Sequence, residues 1–207
     1  MTPRSSKIYL ASRSPRRREL LKQIGVPFDL LLFRESGARG ADLDEAVLAG
    51  ERAEDYVQRV CREKAATAWL RVVERRLPWQ PVLAADTTVV LDGQILGKPE
   101  DSRHAERMLA TLSGHEHRVL SAVVVQYQDR VESTLSESFV RFRDLNAAEI
   151  SRYVVSGEPM DKAGAYAIQG RAAVFISQLR GSYSGVVGLP LFETAKLLER
   201  LKEMLAG

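Results

Sequence analysis

The chain has 207 residues, of which 45% are hydrophobic, and its 30 Lys and Arg against 27 Asp and Glu give a formal net charge of +3 at pH 7. This length supports one sizeable core, so residues 1–207 are treated as a single domain. The single Cys61 excludes an internal disulfide and favours a reducing compartment. No segment approaches the roughly 20 apolar residues of a membrane span, and we expect a cytoplasmic protein.

The N-terminal part predicts a strand over residues 8–11, a turn and a helix. Ser14 can cap that helix and Pro15 suits its first position. Arg16 and Arg17 would then lie at a helix start, where free N–H groups attract anions. Arginine there opposes the helix dipole, which a bound phosphate would offset. The alternative is that both arginines are simply solvated.

The next segments predict a strand over residues 26–33, a loop over 34–50 and a long helix over 53–77. Glu45 lies in the loop, where an acidic residue is usually solvated. Lys64 lies one helical turn after residues that would be buried, so a charged side chain falls on the apolar stripe of the helix. It either snorkels at the edge of the stripe or points into a cleft.

Residues 83–99 predict a β-hairpin that carries a charge near each end. Asp86 follows a short apolar run, and Lys98 follows the returning strand. Between the strands, Asp92-Gly93 favours a type I′ turn, because Gly accepts a positive φ. An acid and a cation on one rigid scaffold suit a functional site better than a loop would.

The rest of the chain predicts alternating helices and strands with two glycine-containing loops, over 158–170 and 181–188. We expect helices over 101–112, 146–156 and 191–205, and strands over 119–127, 131–142 and 172–176. Small residues in the loops let the backbone approach a ligand closely. Lys162 and Gln169 are unusual choices for a purely structural loop.

The chemistry that these residues permit is narrow. There is no P-loop or GxGxxG motif, and Cys61 on an apolar helix face and the clustered histidines fit no nucleophilic triad. The run His115-Glu116-His117 is interpreted as a turn rather than a metal site. Cations at element ends beside Asp86 suit water attack on a phosphoryl centre, with a divalent ion sharing the developing charge. These cations are Arg16, Arg17, Lys64, Lys98 and Lys162.

Four parts of the sequence, taken in order, resemble the Maf family of nucleoside triphosphate pyrophosphatases. They read LASRSPRRRELL (10–21), ADTTVVLDGQILGKP (85–99), LSGHEHRV (112–119), and DKAGAYAIQG with GSYSGVVGLPL (161–170 and 181–191). The resemblance implies an α/β fold with a twisted mixed β-sheet, flanking helices and two lobes around a central cleft, similar to inosine triphosphatases. It also implies hydrolysis of a nucleoside triphosphate to the monophosphate and pyrophosphate by metal-assisted water attack.

The same resemblance implies roles for individual residues. Asp86 corresponds to a proton-accepting aspartate, and Glu45 with Asp86 would hold a divalent cation, Mg²⁺ or Mn²⁺. Contacts to the substrate are implied for Ser12, Arg16, Arg17, Lys64, Thr87, Lys98, Lys162 and Gln169. Three of these, Arg16, Thr87 and Gln169, resemble the subgroup that acts on dTTP and UTP. An amide both donates and accepts, so Gln169 can pair with the carbonyl and N–H of a uracil or thymine edge.

The expected partner is therefore a small-molecule nucleoside triphosphate, without a membrane or a nucleic acid, and a homodimer is left open. The alternative is a non-catalytic nucleotide-binding or nucleic-acid-binding regulator of cell division, which the small basic excess and the arginine run would suit. Nucleic-acid binding would show a steep salt dependence. No basic motif interleaved with aromatic residues supports that alternative.

Overall fold

The computed structural model describes residues 7–32 and 45–206, and within them one seven-stranded mixed sheet is flanked by helices. The strands are β1 (Ile8–Leu10), β2 (Phe28–Leu30), β3 (Val82–Leu91), β4 (Gln94–Leu96), β5 (Glu116–Tyr127), β6 (Arg130–Phe142) and β7 (Ile176–Arg180). The helices are α1 (Pro15–Gln23), α2 (Ala53–Glu74), α3 (Ser102–Leu112), α4 (Ala147–Val155), α5 (Tyr183–Val187) and α6 (Leu191–Ala206).

The sheet has the strand order β2-β1-β3-β5-β6-β7, and β4 pairs with β3 outside this path. The strand β1 runs parallel to β2 and to β3. The pairs β3–β4 and β6–β7 are antiparallel. Parallel and antiparallel pairs in one sheet with flanking helices confirm the predicted mixed α/β class.

The chain divides into two compact units. The first contains Met1–Asp86, Ala122–Leu135 and Gly188–Gly207, and the second contains Thr87–Ser121 and Ser136–Val187. In the first unit, the buried stripe of α2 faces the core with residues such as Val57, Val60 and Cys61. In the second, the core is built around aromatic rings, with Phe142 in edge-to-face contact with both Tyr166 and Phe175.

Several local predictions are confirmed because a few neighbouring residues determine them. The Ser14 side chain accepts a hydrogen bond from the Arg17 amide at the start of α1, and Pro15 is its first residue. Asp92 and Gly93 have φ values of 49° and 79°, as the type I′ turn requires. Helix α4 lies within the range 146–156 predicted as a helix, and it begins with a complete capping box between Asn146 and Glu149.

Other predictions were wrong. The strand expected over 26–33 is confined to Phe28–Leu30, and residue 33 lies outside the described ranges. Of the strand expected over 172–176, only Ile176 is in a strand, as the first residue of β7, and the residues before it form most of a 3₁₀ helix, Arg171–Phe175. The Glu158 carboxylate accepts from the Arg171 amide at 3.0 Å and caps this helix at its start. The glycine-containing loop over 181–188 contains α5, because the Ser182 hydroxyl accepts from the Gly185 amide.

Candidate active site

A lysine held between two carboxylates is the main polar feature of the first unit. Lys64 Nζ lies 2.7 Å from Asp86 Oδ1 and 2.8 Å from Glu45 Oε1, and the Lys64 and Asp86 side chains are only 13% and 12% exposed. Burial by itself lowers the pKa of Lys64, but the charges of Asp86 and Glu45 outweigh it and the pKa is raised. Lys64 is therefore a protonated ammonium at neutral pH, and it does not snorkel away from the protein.

The packing of α2 explains why Lys64 reaches Asp86. Cys61, one helical turn earlier, is buried with its Sγ 3.5 Å from the Ala84 carbonyl and 3.4 Å from the Ala122 carbonyl. These contacts seat the helix on β3 just before Asp86. Burial also raises the pKa of the Cys61 thiol to about 12, so the thiol stays protonated and is a poor nucleophile.

Two residues of α2 that the sequence analysis did not single out hold the segment that carries Glu45. The Tyr56 hydroxyl donates to the Glu45 carbonyl at 3.1 Å. Arg59 donates to the Ala46 carbonyl at 2.9 Å and makes a two-pronged ion pair with Glu51 at 2.6 and 2.8 Å. Helical spacing places Tyr56 and Arg59 on one face of α2, but nothing in the pattern indicates what that face contacts.

The start of α1 supplies the two arginines that the sequence analysis assigned to the site. Arg17 donates from Nε to the Gly188 carbonyl at 2.8 Å and from Nη1 to Ser12 Oγ at 3.2 Å. Burial lowers the pKa of Arg17, and the negative charge of Asp86 partly offsets this. Ser12 is buried and positions Arg17, whereas Arg16 on the next face of the helix is half-buried.

The remaining predicted site residues lie in the second unit. Thr87 is half-buried in β3, and Lys98 and Gln169 are exposed. Lys162 is half-buried, donating to the Glu158 carbonyl at 2.5 Å and pairing with Asp161. Lys98, Lys162 and Gln169 lie on irregular backbone at the ends of elements, as the sequence analysis expected.

His117 corrects the interpretation of the His115-Glu116-His117 run as a turn. Residues 116 and 117 already belong to β5, and the His117 ring is 2% exposed, with Nε2 2.8 Å from the Tyr166 hydroxyl. Burial lowers the pKa of His117 to about 4, so the ring is neutral in the core. The metal alternative gains no support, since the described residues contain no group of three or more potential His, Cys, Asp or Glu ligands.

The fold and the cluster around Lys64 define an α/β protein with a mixed sheet, whose first unit places one largely buried lysine between two carboxylates. Residues 7–201 match the family model described as Maf-like protein. The chain belongs to this family.

Curated relatives cover nearly the whole chain. A protein of Nitrosomonas europaea named dTTP/UTP pyrophosphatase is 59% identical over 199 residues, which cover 96% of each chain. A protein of Aromatoleum aromaticum with the same name is 58% identical over 201 residues, or 96% of this chain and 97% of that one.

Among solved structures, the Ham1 protein of Staphylococcus aureus covers 97% of this chain and 98% of its own at 14% identity, with a TM-score of 0.45. Within residues 7–32 and 45–206, no helix combines the length and the hydropathy that a membrane span requires.

Proposed function

We propose that this chain is a nucleoside triphosphate pyrophosphatase that converts dTTP, UTP and modified pyrimidine triphosphates to the monophosphate and pyrophosphate. The observation that carries the proposal is the buried Lys64 ammonium between Asp86 and Glu45. Buried charges are costly unless they are paired, and a cluster of this kind is typical of a site that handles charged groups. The names of the curated relatives support the substrate class.

In the proposed reaction, Asp86 accepts a proton from a water molecule. The water oxygen forms a bond to the α-phosphorus, and the bond from that phosphorus to the oxygen that bridges to the β-phosphorus breaks. Pyrophosphate leaves with the electron pair of the broken bond. Lys64 and Arg17 stabilise the charge on the phosphate oxygens, and Ser12 orients Arg17. We assign contacts with the same kind of oxygen to Arg16, Lys98 and Lys162.

A divalent cation, Mg²⁺ or Mn²⁺, fits the donor set of the first unit. Asp86 and Glu45 both direct a carboxylate oxygen at one positive charge, the Lys64 ammonium, so they can share a cation. Mg²⁺ is usually held by one or two carboxylates together with substrate phosphates and water, so two protein ligands suffice. When bound, the cation would neutralise charge on the phosphate oxygens.

We assign recognition of the base to Thr87 and Gln169 of the second unit. Gln169 is exposed, and its amide offers one donor and one acceptor direction to a pyrimidine edge. The family match runs through both units, which supports treating residues 1–207 as one pyrophosphatase domain. The single Cys61 supports a reducing, cytoplasmic setting, and no role for nucleic acid is included.

The proposal is tested by incubating the purified chain with dTTP and Mg²⁺ and identifying the products. We expect dTMP and pyrophosphate, and we expect Asp86→Asn to lower kcat about 100-fold or more, since a general base contributes about that factor. Asp92→Asn is the matched control, because Asp92 is an exposed residue of the turn that follows β3. Release of orthophosphate and dTDP, or equal rates for the two variants, would refute the proposal.

A panel of eight common nucleoside triphosphates tests the substrate assignment. UTP and dTTP should give the highest kcat/KM. A preference for guanine nucleotides would contradict the role given to Gln169. Binding of nucleotide with no turnover of any member of the panel would favour the non-catalytic alternative.

A further inference from the structure

Two side chains of α2 hold the irregular stretch of backbone that carries Glu45. The Tyr56 hydroxyl donates to the Glu45 carbonyl at 3.1 Å, and Arg59 Nη2 donates to the Ala46 carbonyl at 2.9 Å. Burial, and after it the negative charges of Asp86 and Glu45, raises the pKa of Tyr56 to about 12. The phenol therefore keeps the proton that it donates to the Glu45 carbonyl.

A third side chain, Glu51, holds Arg59 in place. The Glu51 carboxylate accepts from Arg59 Nε at 2.6 Å and from Nη2 at 2.8 Å, and it also accepts from the Leu48 amide at 3.1 Å. Two parallel hydrogen bonds from one guanidinium fix its plane as well as its position. The direction in which Arg59 donates to the Ala46 carbonyl is therefore fixed as well. We call the side chains of Glu51, Tyr56 and Arg59 the brace.

The two carboxylates that meet at Lys64 are held in different ways. The Asp86 side chain is 12% exposed and belongs to β3, so the packing of the strand fixes it. The Glu45 side chain is 48% exposed, and Glu45 lies outside the helices and strands. Burial alone does not fix the Glu45 carboxylate 2.8 Å from Lys64 Nζ. The brace supplies contacts that hold the backbone from which this carboxylate extends.

We infer that the brace is a positioning device, which holds Glu45 where its carboxylate can share a divalent cation with Asp86. The inference rests on the proposed function, in which these two carboxylates hold that cation. The residues of the brace act through Glu45 and do not touch the substrate. Loss of a group that orients a metal ligand from outside typically weakens metal affinity by about 10- to 100-fold. A ligand that is already in place loses less conformational freedom when the metal binds.

The test is the affinity for Mn²⁺, measured by electron paramagnetic resonance in the presence of α,β-methylene-dTTP, whose α–β bridge cannot be hydrolysed. Arg59→Met should weaken this affinity about tenfold. In a Glu45→Gln background, Arg59→Met should have less than about a twofold further effect, since it acts through Glu45. The affinity for the analogue alone, measured without a divalent ion, should not change, because the brace does not contact it.

Arg143→Met is the matched control. In the second unit, Arg143 pairs with the Glu149 carboxylate at 2.6 Å and donates to the Val174 carbonyl at 3.1 Å. It therefore makes the same kinds of contact as Arg59, but to partners that have no part in the proposed site. Arg143→Met should leave the affinity for Mn²⁺ unchanged. Equal affinities in folded Arg59→Met and Arg143→Met, or no Mn²⁺ binding by the wild-type chain, would overturn the inference.

A second variant keeps the test decisive. If Arg59→Met does not fold, Tyr56→Phe, which removes one hydroxyl and keeps the ring, should weaken Mn²⁺ binding in the same direction. A wild-type chain that binds Mn²⁺ through the brace but releases no pyrophosphate from dTTP would refute the proposed function and leave the inference standing. A chain that releases pyrophosphate but binds Mn²⁺ equally with and without the brace would do the reverse.

Discussion

The two compact units differ in the kind of polar group that they bury. Among the buried polar side chains of the described ranges, the first unit has a charged one, Asp86, next to the largely buried Lys64. Those of the second unit are neutral, namely Thr88, His117, Ser121, Ser136 and Ser138. Its largely buried lysine, Lys162, pairs with a carboxylate that is 65% exposed, that of Asp161, rather than with a buried one. The charges of the first unit can attract a charged ligand strongly. The hydroxyls and the neutral imidazole of the second unit instead form hydrogen bonds, which depend on direction.

The difference suits the two parts of the proposed substrate. A triphosphate is recognised by charge, which acts over several ångströms and tolerates small displacements. A base edge is recognised by donors and acceptors, which discriminate only if their direction is fixed. If the comparison holds, replacing charged groups of the first unit should mainly reduce rate, and replacing neutral groups of the second should mainly change selectivity or stability.

The largest expected effect is that of Lys64→Met. Without the ammonium, Asp86 and Glu45 lose the cation that lies within 2.8 Å of both carboxylates, and the positive charge that Lys64 offers to the substrate phosphates is lost as well. We expect kcat/KM for dTTP to fall by a factor of about 100 to 1,000, as for loss of one preorganised electrostatic contact. The measurement is steady-state kinetics at saturating Mg²⁺.

Lys22→Met is the control for this prediction, because Lys22 is an exposed lysine that pairs only with Glu19 among the described residues. It should leave the rate within about twofold of wild type, as surface ion pairs contribute little. Lys64→Arg should retain more activity than Lys64→Met. A Lys64→Met enzyme as active as Lys22→Met would mean that the buried charge of the first unit is not used in the reaction.

A smaller effect is expected from His117, and it concerns stability rather than rate. Burial lowers the pKa of His117 to about 4, whereas a histidine in an unfolded chain titrates near 6.5. Between these values the unfolded state binds a proton that the folded state does not, so the free energy of unfolding falls as the pH is lowered from about 6.5 to about 4. The full loss is on the order of 3 kcal/mol.

Urea unfolding of wild type and His117→Leu at several pH values tests this contribution. The variant loses the contact with Tyr166 and is less stable throughout, but its free energy of unfolding should change less between pH 6.5 and 4. His115→Asn should keep the wild-type slope, because His115 is exposed. Identical slopes for wild type and His117→Leu would show that the second unit does not depend on a neutral imidazole.

Local sequence signals were sufficient wherever a few adjacent residues determine the backbone. Asp92-Gly93 gave the hairpin of β3 and β4, and Ser14 with Pro15 gave the start of α1. The stripe of α2 and its interruption at Lys64 were also visible, although the pattern left open whether Lys64 snorkels. Only the fold brings Glu45 and Asp86 to the Lys64 ammonium.

Contacts between distant segments could not be predicted in this way. The hydrogen bonds of Thr87 with Ser121 and of Ser121 with the Gly185 carbonyl join residues from three elements, and no periodicity relates a hydroxyl to its partner. Residues 172–176 have the small and apolar composition of a strand, but the Glu158 carboxylate holds the Arg171 amide and favours a capped turn. Tertiary contacts overrode the local preference in that segment.

The smallest expected effect compares two similar ion pairs, because each unit contains a glutamate that accepts two hydrogen bonds from one arginine. Arg59 lowers the pKa of Glu51 to about 2 in the first unit, and Arg143 does the same for Glu149 in the second, in each case chiefly through a side-chain hydrogen bond. The stabilisation from each pair is present above about pH 4.5, the pKa of a free glutamate, and is lost as the pH falls towards 2. Glu51→Gln and Glu149→Gln should therefore each reduce, by a similar and small amount, the loss of stability between pH 5 and pH 3. The measurement is the midpoint of urea unfolding at these two pH values.

The two variants should differ in activity at pH 7. Arg59, the partner of Glu51, also holds the Ala46 carbonyl beside Glu45, so Glu51→Gln loosens the segment that positions a carboxylate of the Lys64 cluster. Glu149→Gln retains a capping side chain for α4 and touches no residue of the proposed site. We expect kcat/KM to fall several-fold for Glu51→Gln and to stay at the wild-type value for Glu149→Gln. Equal activities would show that the segment carrying Glu45 does not contribute to the reaction. Lys64, Asp86 and the arginines of α1 would then remain as the proposed catalytic and binding residues of the first unit.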